Sequence, residues 1–240
     1  DTDFTPFDKG AYASSTAYLS GEAVRKTAEN IKQQLLEQAA VMLGVNDPAT
    51  LELGYKKVVS ADGREVSFEQ IGLSSLHQKN QHQIMATESH VSPVSPPPTA
   101  AQFVEIVVDT ETGEINVERM LMVVDCGRVL NPVTAAGQVE GGMAQGLGFA
   151  LTEDMLYSKE GQPLNPNLKG YKVARATEMP VMDVIFVETD EPSGPYGVKS
   201  VAEIAIDGVA PAMASAIHNA AGIWLRDLPY TKDKVKTALK

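Results

Sequence analysis

The segment Ser92–Pro98 holds four prolines within seven residues, and no other feature of the sequence limits the fold as strongly. Proline lacks the backbone N–H and fixes φ, so this segment cannot continue a helix or an interior strand. It predicts a boundary between a first subdomain, residues 1–91, and a second, residues 92–240. With 43% hydrophobic residues over 240 positions, the chain can bury a core as one large domain or two small ones.

The first subdomain is predicted to contain a long helix and a β-hairpin. Apolar residues recur at helical spacing for about 25 residues from Leu19, until Gly44 stops the pattern. Asp62-Gly63 is a strong hairpin signal between two extended runs. A short helix is expected over residues 68–76.

The second subdomain is predicted to combine a hairpin, another strand and several helices. The strands are expected at residues 103–109, 115–124 and 181–187, and the helices at 133–155, 208–221 and 231–240. These elements predict an α+β fold with two subdomains, each a mixed or antiparallel sheet packed with helices.

Charge and composition exclude several classes of function. The net charge of −11 argues against a nucleic-acid partner, because phosphate binding needs a basic face. No apolar run approaches the roughly 20 residues of a membrane span, so we expect no membrane partner and a cytoplasmic location. The single Cys126 and four scattered histidines show no metal-ligand spacing. The sequence opens like the middle of a domain, and we expect a piece of a longer protein.

Three segments carry residues suited to chemistry. The small-residue loop Gly10–Ser15 precedes a helix, where free backbone amides favour an anionic ligand. Taken alone, this loop is more simply explained as a structural turn. The run Gly137–Gly146 combines glycines with Gln138, whose amide both donates and accepts hydrogen bonds. Tight helix packing would explain these glycines, but not Gln138.

The third segment, Gly197–Ile206, places the carboxylate of Glu203 in a run of small and apolar residues. If apolar neighbours bury Glu203, it becomes a competent general base near neutral pH. The alternative is a solvated residue at the end of an element. Lys199 is expected to be a surface residue or to support other side chains rather than to catalyse.

Together, three runs in this order resemble the C-terminal half of the molybdenum-binding subunit in the xanthine dehydrogenase and aldehyde oxidoreductase family. The runs are Asp1–Gly21, Asp125–Gly148 and Tyr196–Ala212, and the likeness extends over nearly the whole chain. The resemblance implies that Glu203 is the catalytic base. Ser200 and Ala202 stand where many members of the family have glycine.

The resemblance also implies the cofactor and the residues that bind it. The expected cofactor is molybdopterin with molybdenum, in the cytosine dinucleotide form, and the metal is held by the pterin rather than by side chains. The residues expected to bind this cofactor are Tyr12, Ala13, Ser14, Ser15, Thr16, Gln138, Ser200 and Val201.

The resemblance further implies partners and a substrate class. The expected partners are the N-terminal part of the molybdenum subunit and iron-sulfur and flavin subunits that carry 2Fe-2S clusters and FAD. The expected reaction is oxidation of an N-heteroaromatic or aldehyde substrate with water as oxygen source, and the chain alone should be inactive. A catalytically silent cofactor-binding or assembly module is the alternative, and a carbon monoxide oxidising enzyme is a third possibility.

Overall fold

The computed structural model describes residues 3, 5–78 and 81–240, which form two compact units. One unit comprises the described residues up to Gly10 together with Leu19–Ser92, and the other comprises Ala11–Tyr18 and Pro93–Lys240. The division at Ser92 lies in the proline-rich segment. The sequence analysis placed residues 11–18 in the first subdomain, whereas they belong to the second unit.

The first unit is built on a long helix and a small antiparallel sheet. Helix α1 spans Gly21–Leu43 and ends at Gly44, which adopts the left-handed conformation with φ 65°. The sheet has the order β1-β2-β3, and the Asp62-Gly63 turn joins β2 to β3 as predicted. The three strands are β1 Glu52–Gly54, β2 Lys57–Val59 and β3 Glu65–Ser67.

Helix α2, Phe68–His77, follows β3 directly and confirms the predicted short helix. Its start is fixed by a capping box, in which the Ser67 hydroxyl accepts from the Gln70 N–H and the Gln70 side chain accepts from the Ser67 N–H. The first unit has its own core of buried residues from α1, α2 and the sheet. This core contains Leu36, Ala39, Ala40, Leu51, Val58, Val66 and Ile71.

The second unit contains a three-stranded mixed sheet with the order β4-β5-β6. Strands β4, Thr99–Val108, and β5, Ile115–Asp125, pair antiparallel across the predicted hairpin turn, where Gly113 has φ 80°. Strand β6, Val181–Phe186, pairs parallel with β5. The sequence analysis predicted all three strands, and the mixed sheet confirms the α+β class.

Among the described residues, four α-helices complete the second unit: α3 Pro132–Leu151, α4 Ile204–Asp207, α5 Val209–Ala221 and α6 Lys232–Ala238. Helix α3 ends four residues before the predicted Met155, because Thr152 leaves the helical conformation. The N–H groups of Thr152 and Glu153 both donate to the Gly148 carbonyl, which closes the helix. Helix α6 begins after Thr231, whose side chain accepts a hydrogen bond from the Lys234 N–H.

Helices α3 and α5 pack on one face of the mixed sheet and form the main core. Its fully buried members include Met120, Met122, Met143, Val209 and Met213. No helix among the described residues has the length and apolarity needed to cross a membrane.

Candidate functional site

Residues 12–15 form a tight turn in a strained conformation. Ala13 and Ser14 have φ values of 50° and 53°, a region that costs a residue with a side chain roughly 1–2 kcal/mol. The N–H and the hydroxyl of Ser15 both donate to the Tyr12 carbonyl, at 3.1 and 2.7 Å. The surrounding contacts therefore hold this turn in a shape that the chain would not adopt alone.

Tyr18 anchors this segment to the rest of the second unit. Its side chain is buried, and its hydroxyl lies 2.7 Å from the Ser193 hydroxyl. A Cβ at Gly194 would lie 3.1 Å from the Tyr18 ring and 2.0 Å from the Val198 carbonyl oxygen. Only glycine fits at position 194, so the anchor brings residues 11–18 close to the segment that leads to Glu203.

Glu203 immediately precedes helix α4, and its backbone N–H donates to the Ser14 hydroxyl at 3.0 Å. The side chain of Glu203 is exposed, so of the two interpretations that the sequence left open, the solvated one holds in this chain. The reason is that Val201, Ile204 and Ala205 pack on the main core and leave the carboxylate free of apolar cover.

Gln138 lies in the second turn of α3, which begins with the Asn131 cap. The Asn131 side chain accepts from the N–H groups of Val133 and Thr134, and this fixes where the helix starts. Gln138 is exposed on the side of α3 that faces the cleft described below. Its amide is therefore available to a ligand.

Four of the five glycines of α3 divide into two groups. A Cβ at Gly142 would lie 2.5 Å from the Ala205 Cβ, and one at Gly146 would lie 2.6 Å from the Val209 side chain. Tight packing explains these two positions. By contrast, a Cβ at Gly137 or Gly141 would meet nothing within 4 Å, and both glycines border an open recess beside Glu203.

The segments before α3 and before Glu203 cross each other closely. The Arg128 N–H donates to the Gly197 carbonyl and the Lys199 N–H donates to the Cys126 carbonyl, at 2.9 and 2.7 Å. A Cβ at Gly127 would lie 2.3 Å from the Gly197 oxygen. The crossing thus depends on glycine at position 127.

A partly buried ion pair fastens this crossing. Lys199 Nζ donates to Asp125 Oδ2 at 2.8 Å, and the two side chains are only 15% and 19% exposed. Burial tends to raise the pKa of Asp125, but hydrogen bonds from Lys199, the Gly127 N–H and the Thr189 hydroxyl outweigh it and hold the pKa below its ordinary value. Asp125 is therefore an anion at neutral pH, and its ion pair with Lys199 stabilises the backbone crossing.

These segments enclose a cleft of about 510 Å³ within the second unit. Of the residues predicted to form the site, Tyr12, Ser14, Thr16, Gln138, Val201 and Glu203 line this cleft. Ala13, Ser15 and Ser200 do not line it. Ser15 instead stabilises the turn that contains Ser14, through its hydrogen bonds to the Tyr12 carbonyl.

The cleft also contains residues that the sequence analysis did not select. Arg128, Asn131 and Thr134 line it, and Arg128 forms a solvent-exposed ion pair with Asp190 at 3.5 Å. Arg128 lies within the motif run Asp125–Gly148, and a single basic residue in that run was the sequence signal that could have identified it. Cys126 also lines the cleft, but burial raises the pKa of its thiol, which makes it a poor nucleophile.

The donors of the cleft suit an oxygen-rich, anionic cofactor. Amide, hydroxyl and guanidinium groups are provided by Gln138, Thr134 and Arg128, whereas Glu203 contributes one carboxylate. Within residues 3, 5–78 and 81–240, no three His, Cys, Asp or Glu side chains are grouped as a metal site. The amide, hydroxyl and guanidinium donors of the cleft fit hydrogen bonding to the oxygen atoms of an organic cofactor.

This α+β unit with a donor-lined cleft is of the kind that binds a large organic cofactor. The chain belongs to the family of molybdopterin cofactor-binding domains, which matches residues 1–180. It is 39% identical over its whole length to the probable hypoxanthine oxidase XdhD of Escherichia coli strain K12, and covers 25% of that protein. It is 36% identical, over 98% of its length, to the xanthine dehydrogenase molybdenum-binding subunit of Escherichia coli O157:H7, and covers 32% of that subunit.

The fold is also shared with a solved structure. The Cu,Mo-containing CO dehydrogenase superposes with a TM-score of 0.84 at 23% identity, over 99% of this chain and 31% of that one. The chain thus spans between a quarter and a third of the proteins it resembles.

Proposed function

We propose that this chain forms the cofactor-facing C-terminal part of a molybdenum hydroxylase, with Glu203 as its general base. The observation that carries the proposal is the meeting of three distant segments, represented by Ser14, Gln138 and Glu203, at one cleft. The membership of the chain in the molybdopterin-binding family supports the choice of cofactor.

The residues of this chain have distinct parts in the proposed reaction. When bound, the molybdenum cofactor supplies the two-electron oxidation. Gln138 would donate its amide N–H to cofactor oxygens, Arg128 would offer a guanidinium to an anionic group, and the turn at Tyr12–Thr16 would face the pterin. Ala13, Ser15, Ser200 and Val201 shape the backbone around these contacts. Glu203 accepts the proton that water loses as its oxygen adds to the substrate carbon.

An N-heteroaromatic substrate of the purine class is favoured over an aldehyde. Two relatives that match over nearly the whole chain at 36–39% identity are named for hypoxanthine and xanthine. The proposed cofactor is the cytosine dinucleotide form of molybdopterin. The electrons would leave to 2Fe-2S clusters and FAD on partner subunits in the cytoplasm, and the N-terminal part of the subunit would complete the site. The chain alone would then be inactive.

The first test is the composition of the native complex. Metal analysis and mass spectrometry should find molybdenum, a pterin nucleotide and co-purifying iron-sulfur and flavin chains. A complex with none of these would contradict the proposal.

The second test is the variant Glu203→Gln in the complete enzyme. It keeps the size of the side chain but removes the base, so turnover should fall by about 100-fold to 10,000-fold with unchanged molybdenum content. Glu160→Gln, in an exposed loop away from the cleft, is the matched control and should keep full activity. If Glu203→Gln turned over within about tenfold of the parent, another base would be required. A complex that binds the cofactor but never turns over would favour the silent module.

A further inference from the structure

A second cleft in the second unit shares no lining residue with the cleft that contains Glu203. Its volume is about 600 Å³, which is within the usual range for small-molecule sites. One wall is the segment Trp224–Asp227, which follows α5, and the other wall is one side of α6. The lining residues are Trp224, Leu225, Arg226, Asp227, Asp233, Lys234, Thr237 and Ala238.

Trp224 forms a flat aromatic wall of this second cleft. One face of its ring stacks on His218, in the last turn of α5, with 4.3 Å between the ring centroids and 16° between the ring planes. Trp224 is nevertheless 54% exposed, so the opposite face of the indole is open. Because the stacked imidazole holds the indole in one orientation, the open face is a platform on which another planar ring can stack.

A single lysine fastens the two walls of the second cleft to each other. Lys234 Nζ donates to the carbonyl oxygens of Asp227 and Leu228, at 3.1 and 3.0 Å. The ammonium group is thereby engaged with the backbone, and the loop that carries Arg226 and Asp227 is held against α6. Contacts within the protein therefore define the shape of the cleft.

The charged side chains of the second cleft offer both hydrogen-bond donors and acceptors. Within the part of the chain that the structure describes, Arg226, Asp227 and Asp233 form no ion pair. Together with Lys234 they give two positive and two negative side chains, so the lining has no net charge. A neutral planar ligand with acceptors on one edge and N–H donors on another matches this set.

We propose that the second cleft binds an oxopurine, stacked on the open face of Trp224, at a site separate from the proposed catalytic one. An oxopurine carries a carbonyl oxygen next to a ring nitrogen, and an arginine pairs with this edge through two hydrogen bonds. Arg226 supplies these two donors, and the carboxylates of Asp227 and Asp233 accept from the ring N–H groups.

Other ligand classes fit the second cleft less well. An aliphatic ion would leave the open face of Trp224 unused, and a phosphate would meet the carboxylates of Asp227 and Asp233. Binding of an oxopurine here needs neither Glu203 nor molybdenum. The proposal therefore stands apart from the proposed hydroxylase reaction.

The test is fluorescence of the 240-residue chain, in which Trp224 is the only tryptophan. Hypoxanthine is the probe, and free N-acetyltryptophanamide is titrated alongside to correct for collisional quenching. We expect saturable quenching by hypoxanthine. Adenine carries an amino group in place of the carbonyl oxygen and should bind about 5-fold to 150-fold more weakly, because the bidentate arginine contact is lost. Quenching that rises linearly with hypoxanthine concentration, as for the free amide, would overturn the proposal.

The variants Arg226→Gln and Trp224→Leu remove the two recognition groups one at a time. Both side chains are exposed, so circular dichroism should show an unchanged fold. Calorimetric titration should show hypoxanthine binding weakened by about 5-fold to 150-fold in each variant. Lys159→Gln removes an exposed cation that does not line the cleft, and this control should bind like the parent. Undiminished binding in both cleft variants would place hypoxanthine elsewhere and refute the proposed site.

Glu203→Gln separates this proposal from the proposed function. The Glu203→Gln chain should bind hypoxanthine at the second cleft as the parent does. Loss of binding in this variant would assign the purine to the first cleft and overturn the second site. A complete enzyme that has no hydroxylase activity but still shows Arg226-dependent hypoxanthine binding would uphold the second site while contradicting the proposed function.

Discussion

The hydroxyl oxygen of Ser14 accepts a hydrogen bond from the backbone N–H of Glu203 at 3.0 Å, across 189 positions of sequence. The strained turn of Ala13 and Ser14 therefore sets the position of the backbone that carries the proposed base. This contact links a segment expected to face the cofactor with the residue expected to move the proton.

Ser14→Ala in the complete enzyme should lower both the rate and the stability. Loss of one hydrogen bond of this kind costs about 0.5–1.5 kcal/mol, which corresponds to a fall in kcat of about twofold to tenfold if the bond positions Glu203. Ser158→Ala is a matched control, because the Ser158 hydroxyl also accepts backbone N–H groups but lies in a distant loop. Steady-state kinetics and thermal unfolding should show a similar stability loss in both variants and a rate loss in Ser14→Ala alone.

The Asp125–Lys199 ion pair should show strong energetic coupling. Either Asp125→Asn or Lys199→Met leaves a partly buried group without its partner and should cost about 1–3 kcal/mol of unfolding free energy. The double variant should cost clearly less than the sum of the two. Lys172→Met, which breaks the exposed pair with Glu178, should have little effect in the same denaturant titration. Additive costs would mean that the pair contributes nothing.

Asp125 should also make the chain sensitive to acid. Because its folded pKa lies below the ordinary value, its stabilising contribution is complete above the unfolded pKa of about 4 and is lost as pH falls through the folded value. The difference in unfolding free energy between the parent and Asp125→Asn should therefore shrink as the pH falls below about 4. Urea titrations at several pH values would measure this difference. If the difference in unfolding free energy stayed constant with pH, ionisation of Asp125 would not contribute to it.

Two adjacent glycines of α3 should respond in opposite ways to the same substitution. Gly142→Ala places a Cβ 2.5 Å from the Ala205 Cβ, and this overpacking should destabilise the chain by about 1–3 kcal/mol. Gly141→Ala meets nothing within 4 Å and should stabilise the helix by about 0.5–1 kcal/mol. Thermal unfolding of both variants provides the comparison, and equal shifts in Tm would contradict the packing argument.

Local sequence signals predicted most of the elements, because helix ends and turns depend on a few nearby residues. Gly44, Asp62-Gly63 and Gly113 each end an element where the left-handed backbone region is needed. The C-terminal end of α3 was harder to predict from the sequence, because it depends on the N–H groups of Thr152 and Glu153 both donating to the Gly148 carbonyl.

The candidate site was only partly predictable. The motifs indicated Gln138, Ser14 and Glu203, but the pairing of Asp125 with Lys199 joins residues 74 positions apart and left no local signal. The sequence left open whether Glu203 is buried or solvated, because a run of apolar residues does not reveal which side each one faces. Val201 and Ala205 pack towards the main core, whereas Glu203, which lies between them in the sequence, is exposed.

The placement of Ala11–Tyr18 in the second unit has a consequence for biosynthesis. This segment is synthesised 175 to 189 residues before its partners Ser193 and Glu203. The complete cleft therefore cannot form until both of these distant parts of the sequence have been made, and contacts of such long range form slowly. Any cofactor that needs both walls of the cleft must bind after translation of this region is almost finished, so its insertion acts on a folded protein rather than guiding the first steps of folding.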